Sequence, residues 1–294
     1  MEGYYQFRDE FQSVPDTYYV FNGDSDEVSV STVSVVQGTR MMKDEIVSND
    51  KLSQWLRQTS GLSQTDSDTK ASFQIVWIRL KFEHQRELDI QESIQNLIMK
   101  SFAFDQCFYH YVRSSVSAGG FFRFPDDDDL ELFAIRLSSY CLVVWTHCRS
   151  TGQSSAICWG TDQTLAALRS AFRHQIKNFQ GPMLPAICTA MALKLWVDVT
   201  SHNVFKSVAS VENRTQFFRG KPLHGIAEGS FSSLSAKMGE SAALMAASER
   251  DCSLGIQILD SIYEYNNEEQ KDHFTLKYGP SNNFDRCFWT LKQR

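Results

Sequence analysis

The apolar stretch at residues 75–82 constrains the fold of this chain more than any other segment. Its even-numbered positions are wholly apolar, and its β-branched and aromatic content favours a strand with at least one buried face. After a polar turn, Asp89 with Glu92 three residues later is typical of a helix N-terminus. Apolar residues then recur at helical spacing, at Ile90, Ile94, Leu97, Ile98 and Phe102. The stretch therefore predicts a strand followed by a helix, with a second short helix from about Asp105.

Further strands are predicted on both sides of this stretch. Valines mark a strand at residues 28–36, and residues 140–146 are apolar on both faces, as expected inside a sheet. Short turns separate four predicted strands, which indicates antiparallel hairpins: residues 121–124, 130–137, 140–146 and 156–159. The strand at 75–82 could add a parallel pair. The predicted fold class is therefore α/β (α+β), a mixed β-sheet flanked by helices and followed by a long C-terminal stalk-like helix.

From Thr161 onward the pattern is helical. Thr161 or Asp162 is suited to cap a helix, and Pro185 is suited to the first turn of the next one. The predicted organisation has five parts: residues 1–71 with N-terminal strands, a short helix and a polar loop; the core of the α/β domain in 72–212; a loop in 213–230; the stalk-like helix in 231–270; and a polar tail in 271–294.

The last long helix carries a seam of residues spaced alternately by four and three, which is the heptad pattern of coiled coils: Leu234, Met238, Ser241, Met245, Ser248, Cys252, Gly255, Leu259 and Ile262. The middle of the seam is small or polar, which allows close helix approach but gives weak hydrophobic drive. A helix over 50 Å long, at about 1.5 Å per residue, should project from the domain or pack along all of it. The seam is predicted to join subunits or a partner protein, through Leu234, Met238, Met245, Cys252, Leu259 and Ile262.

Composition and charge narrow the function classes. With 42% hydrophobic and 22% charged residues, the chain can form a sizeable core. A net charge of -6 argues against binding to nucleic-acid phosphates. The longest apolar run, 186–197, is too short to span a bilayer, which needs roughly 20 residues, so we expect no membrane insertion. Because the N-terminus is acidic and polar, we expect it not to be a signal peptide. The seven cysteines form no CxxC pair, which favours reduced thiols and a cytoplasmic protein.

Candidate site residues are few. The acidic run Asp126, Asp127, Asp128 and Asp129 could ligate Mg²⁺ or Ca²⁺, because both cations favour carboxylate oxygens; the alternative is a solvated loop. The histidines lack a metal-ligand spacing such as HxxxH, and GxSxG, P-loop and GxGxxG motifs are absent. The sequence therefore predicts a binding protein and not an enzyme.

The order of these parts resembles the cytosolic domain of CorA-like divalent-cation transporters, of the divergent kind common in filamentous fungi. The resemblance covers about residues 70–270 and rests on four segments: IVWIRLKFEHQRELDIQESIQNLIMKSFAFDQCFYHYV, YCLVVWTHCRSTGQSSAICWG, a helix with Leu195-Trp196-Val197-Asp198, and LSAKMGESAALMAASERDCSLGIQILDSIYE. In that family the stalk continues into two transmembrane helices with a Gly-Met-Asn tripeptide at the pore. Neither feature has a counterpart here, so the resemblance does not imply transport by this chain alone.

The resemblance implies a soluble binding or regulatory module without a pore. Such domains are thought to sense Mg²⁺ with acids between the α/β domain and the stalk, which would make Asp251 and Asp260 ligand candidates. The expected partners are Mg²⁺, further copies of the chain, or a CorA-like membrane subunit bound through the long helix. The alternative is a protein-interaction or effector-like module that reuses the fold with no ion-related role.

Overall fold

The computed structural model describes residues 20–21, 23, 26–36, 39–58, 71–82, 87–104, 120–125, 129–137, 141–178, 181–215 and 228–272. The strands are β1 (Val20–Phe21), β2 (Glu27–Val36), β3 (Thr39–Ser48), β4 (Ala71–Phe82), β5 (Glu87–Leu88), β6 (Gly120–Pro125), β7 (Leu130–Leu137), β8 (Cys141–Cys148) and β9 (Gln153–Gly160). The helices are α1 (Asn49–Gln58), α2 (Glu92–Ser101), α3 (Asp162–Gln175), α4 (Leu184–Thr215) and α5 (Glu228–Asp272).

These strands form one mixed sheet, which confirms the predicted fold class. β4 runs parallel to β9, with Ile75 opposite Ala156, and antiparallel to β2, with Val76 opposite Val30. From β9 the sheet continues through β8 and β7 to β6 in antiparallel pairs, as the short turns predict. β3 pairs with β2, while the short strands β5 and β1 extend the sheet beside the end of β4.

Helices cover both faces of the sheet, because its strands are apolar on both sides. α3, the start of α4 and the later part of α5 pack on one face, around Trp145 and Phe133, whose rings stack at 5.1 Å. α1 and α2 pack on the other face. Along β7, successive side chains point to opposite faces of the sheet. Phe133 and Ile135 pack on the face covered by α3, α4 and α5, while Leu132 and Ala134 pack on the face covered by α1 and α2.

Two predicted helix starts have different outcomes. Thr161 caps α3, and its Oγ1 accepts a hydrogen bond from the Thr164 N–H at 3.3 Å. The prediction for α2 is wrong by two residues: the cap position is Gln91, without a side-chain capping bond. Asp89 instead pairs with Lys81 at 3.2 Å, because the chain is still paired beside β4 at that point. The helix predicted from Asp105 lies outside the described residues.

Strand β3 has no counterpart among the predicted elements, because its exposed and half-buried side chains are mostly polar. A polar network attaches it to the domain. The Asp44 carboxylate accepts hydrogen bonds from Ser31 on β2 and Arg173 on α3. Burial acts to raise the pKa of Asp44, but these two hydrogen bonds together with the charges of Arg173 and Arg169 outweigh it and lower that pKa. Ser31 also accepts from the Trp77 indole at 2.7 Å, so the network reaches β4.

Among the described residues, one helix has the length and apolar composition of a membrane span, α4 over 184–213. Half of its apolar window is buried within the domain. The first turns, Leu184–Ala190, are buried completely against the sheet. This burial is what a core helix of a soluble domain requires.

Candidate functional site

Helices α4 and α5 form an antiparallel hairpin that extends from the sheet. Gly255 lies beside Leu193 near the sheet, and Ser241 lies beside Ser207 farther out along both helices. With about 1.5 Å per residue, α4 and α5 are about 48 and 68 Å long. Beyond residue 200 the buried side chains of α4 are reduced to Val204 and Val211. Among the residues that the structure describes, the outer half of the hairpin therefore has a buried seam between the two helices, and its other side chains are exposed or half-buried.

Every second position of the predicted seam lies on the side of α5 that packs against α4 of the same chain. Buried or half-buried residues on this side of α5 recur every seven positions, and two of them, Ser241 and Gly255, contact α4 directly: Leu234, Ser241, Ser248, Gly255 and Ile262. Small side chains in the middle allow the close approach that the sequence predicts. The Ser241 hydroxyl donates to Ser207 Oγ at 3.2 Å, and a Cβ at Gly255 would meet Leu193 Cδ2 at 3.6 Å.

The remaining positions of the predicted seam are either buried on the sheet or exposed. Leu259 is buried in the core on the sheet. Met238, Met245 and Cys252 are exposed. Whether this seam joins subunits stays a prediction, but only its exposed positions are accessible to another molecule.

The exposed positions belong to a longer apolar line, which we call the α5 stripe: Met238, Met245, Cys252, Ile256 and Tyr263. Met245 is 60% exposed and Ile256 is 51% exposed. Because spacings of seven and eleven residues return to one side of a helix, these side chains line a single face next to α4. Large apolar side chains exposed in a row are typical of a surface that binds another protein.

A second feature, which no sequence motif indicates, is a group of polar residues at the end of the sheet. Glu131, His147 and Ser154 lie opposite one another on β7, β8 and β9. Arg149 and Tyr265 complete the group, which we call the sheet-end cluster. Arg149 donates to Glu131 Oε1 at 2.7 Å, and the Tyr265 hydroxyl donates to Oε2 at 2.6 Å.

The sheet-end cluster contains a serine, a histidine and an acid in a row, the residue types of a nucleophilic triad. The geometry is that of a buried network instead. His147 Nδ1 lies 2.9 Å from Ser154 Oγ, and both oxygens of Glu131 are engaged by Arg149 and Tyr265. Burial lowers the pKa of His147, and the charge of Glu131 offsets this only in part. The cluster's evident role is to attach α5 to the sheet through Tyr265.

The predicted metal ligands are only partly within the described residues. Asp126, Asp127 and Asp128 lie outside them. Asp129 is engaged by the turn after β8, where its carboxylate accepts from the Ser150 N–H at 2.7 Å and the Ser150 hydroxyl at 2.8 Å. Those bonds, together with the one from Cys148, lower the pKa of Asp129. The residues that the structure describes contain no group of three or more metal-ligating side chains. Asp251 and Asp260 are among these described residues, are half-buried, and belong to no such group.

An apolar cavity of about 110 Å³ lies between α3 and α4. Its walls include Leu137, Ala167, Leu193, Trp196 and Val199. Val199 is 43% exposed, so the cavity reaches the surface of the domain. A space of this size holds a single apolar side chain or a very small ligand.

Three of the cysteines that the structure describes are buried in the core beside the sheet. They are Cys141, Cys158 and Cys188. Burial raises the pKa of Cys141 to about 12 and raises the pKa of the other two thiols as well. These thiols are inert packing groups, as expected for free cysteines in a core.

Comparison with known proteins adds no relative. No family model matches the sequence, and no curated protein matches it. The resemblance to CorA-like domains therefore stays a prediction that rests on the order of the sequence motifs.

Proposed function

We propose that this chain is a non-catalytic protein-interaction module, related in architecture to the cytosolic domain of CorA-like transporters, that binds another protein helix along the α5 stripe. The observation that carries the proposal is the row of large exposed apolar side chains on a helix already fixed by α4. A preformed helix face costs less conformational entropy on binding than a segment that folds as it binds.

The arrangement of the hairpin supports binding along α5. The sheet and the start of α4 hold the sheet-proximal part of α5, and Tyr265 attaches it to Glu131. The stripe begins in this fixed part, at Tyr263, and continues outward to Met238. The buried thiols support a reducing compartment, and we propose that the protein is cytoplasmic.

The test compares the wild-type chain with a stripe variant, Met245→Lys with Ile256→Lys. The matched control is Ala243→Lys, an exposed position on the far side of the same helix. Light scattering gives the mass of each protein with and without Mg²⁺, and affinity purification with quantitative mass spectrometry gives the proteins bound to each. We expect association, with itself or with another protein, that the stripe variant loses and the control keeps. Equal association of all three proteins, or none, would overturn the proposal.

The Mg²⁺ arm addresses the ion-sensing version of the prediction. If the cation acts through Asp251 and Asp260, Mg²⁺ should change the mass or the melting temperature, and Asp251→Asn with Asp260→Asn should abolish that change. An association that ignores Mg²⁺ would support a module without an ion-related role.

A further inference from the structure

The four large side chains of the α5 stripe, leaving out the small Cys252, have a spacing that reads the same in both directions. Met238, Met245, Ile256 and Tyr263 are separated by seven, eleven and seven residues. A second α5 that runs antiparallel therefore places Met238 against Tyr263 and Met245 against Ile256, each pair occurring twice. A parallel copy would place each residue against itself, with Met245 against Met245.

We infer that the occupant of the α5 stripe is a second copy of this chain, bound antiparallel about a twofold axis that passes between Arg250 and Asp251. This inference rests on the proposed function and names its partner. A twofold interface needs one surface patch that is complementary to itself, and the symmetric spacing provides that. Cys252 then lies near the axis, opposite Glu249 of the second copy.

The area of the stripe predicts a weak dimer. From Met238 to Tyr263 the helix rises about 38 Å, and a helix is about 10 Å wide, so each copy buries on the order of 400 Å². A standard stable interface buries about 800 Å² on each partner. We therefore expect a weak, reversible dimer.

The charges beside the stripe distinguish this occupant from a different partner. Glu249, Asp260 and Glu264 follow the side of the stripe away from α4. In the twofold dimer the same acidic sides meet, so salt should screen their repulsion and strengthen the dimer. A basic amphipathic helix from another protein would bind the same surface less tightly as salt rises.

The experiment is sedimentation equilibrium of the full chain from 5 to 500 µM, at low and high salt. We expect a monomer–dimer equilibrium that tightens with salt, at least a tenfold weaker dimer for Met245→Lys, and no change for Ala243→Lys. A monomer at every concentration would overturn the inference. If that monomer still binds another protein through the stripe, the proposed function stands without it; if it binds nothing, both are wrong.

Cross-linking tests the direction of the helices independently. Met245→Cys and Ile256→Cys are each made together with Cys252→Ser, mixed, and treated with a short bismaleimide. Peptide mapping should show the 245–256 link at least fivefold above the 245–245 and 256–256 links. Dominant 245–245 links would mean parallel pairing and would overturn the antiparallel dimer.

Discussion

Removing a single oxygen atom from Tyr265 tests the attachment of α5 to the sheet. Tyr265→Phe removes the hydroxyl that donates to Glu131 Oε2 at 2.6 Å and keeps the ring, which meets Phe133 edge-on at 5.8 Å. Tyr265 is 3% exposed and Glu131 is 2% exposed, so water cannot easily replace the lost bond. The variant therefore isolates one hydrogen bond to a buried carboxylate.

The expected loss follows from the charge of the acceptor. A hydrogen bond to a charged group contributes about 1.5–3 kcal/mol. Because Arg149 still pairs with Glu131 at 2.7 Å, the carboxylate is not left alone, and we expect a loss near the lower end, about 1.5–2 kcal/mol. In a domain of this size each kcal/mol lowers the melting temperature by about 2–4 °C, so the shift should be about 3–8 °C.

Urea denaturation and calorimetry measure this loss. The matched control is Tyr263→Phe on the same helix, whose side chain is 47% exposed and which should change stability by less than about 0.5 kcal/mol. Adding Glu131→Gln completes a double-mutant cycle, which assigns the loss to the Tyr265–Glu131 pair. If Tyr265→Phe loses no more stability than the control, the cluster does not attach α5 to the sheet.

Three further predictions address packing, pH and thiol access. Gly255→Leu should destabilise the hairpin by about 1–3 kcal/mol. A Cβ there is already in van der Waals contact with Leu193 at 3.6 Å, so the rest of the larger side chain would force the two helices apart. Gly239→Leu, with nothing within 4 Å, should not destabilise it; equal melting temperatures of the two variants would contradict the assigned seam. Burial lowers the pKa of His147 in the folded protein, so just below pH 6.5 the unfolded chain binds more protons than the folded one. The free energy of unfolding should therefore fall as the pH drops through that range, and His147→Gln should make this fall less steep. Maleimide labelling of the native protein, read by peptide mapping, should modify Cys252 and spare three cysteines until the chain unfolds: Cys141, Cys158 and Cys188.

Much of the fold could be predicted because strands and helices carry their own periodicity. The stretch at 75–82 and the apolar run at 140–146 each contain enough apolar side chains to identify a buried face. The mixed sheet follows from the order of those elements. β3 was missed because its side chains are polar and half exposed, and its place depends on pairing with β2 and on the Arg173–Asp44 contact.

Only the tertiary structure shows which residues contact one another across the molecule. The heptad seam is visible in the sequence, yet only the hairpin geometry shows that Ser241, Ser248 and Gly255 face α4 while Met238 and Met245 face solvent. Periodicity locates an apolar side of a helix but cannot name its neighbour. In the sequence, Glu131 is likewise only an acid between apolar residues of a predicted strand. Its partner Tyr265 is 134 residues away, and only the fold could bring the two together.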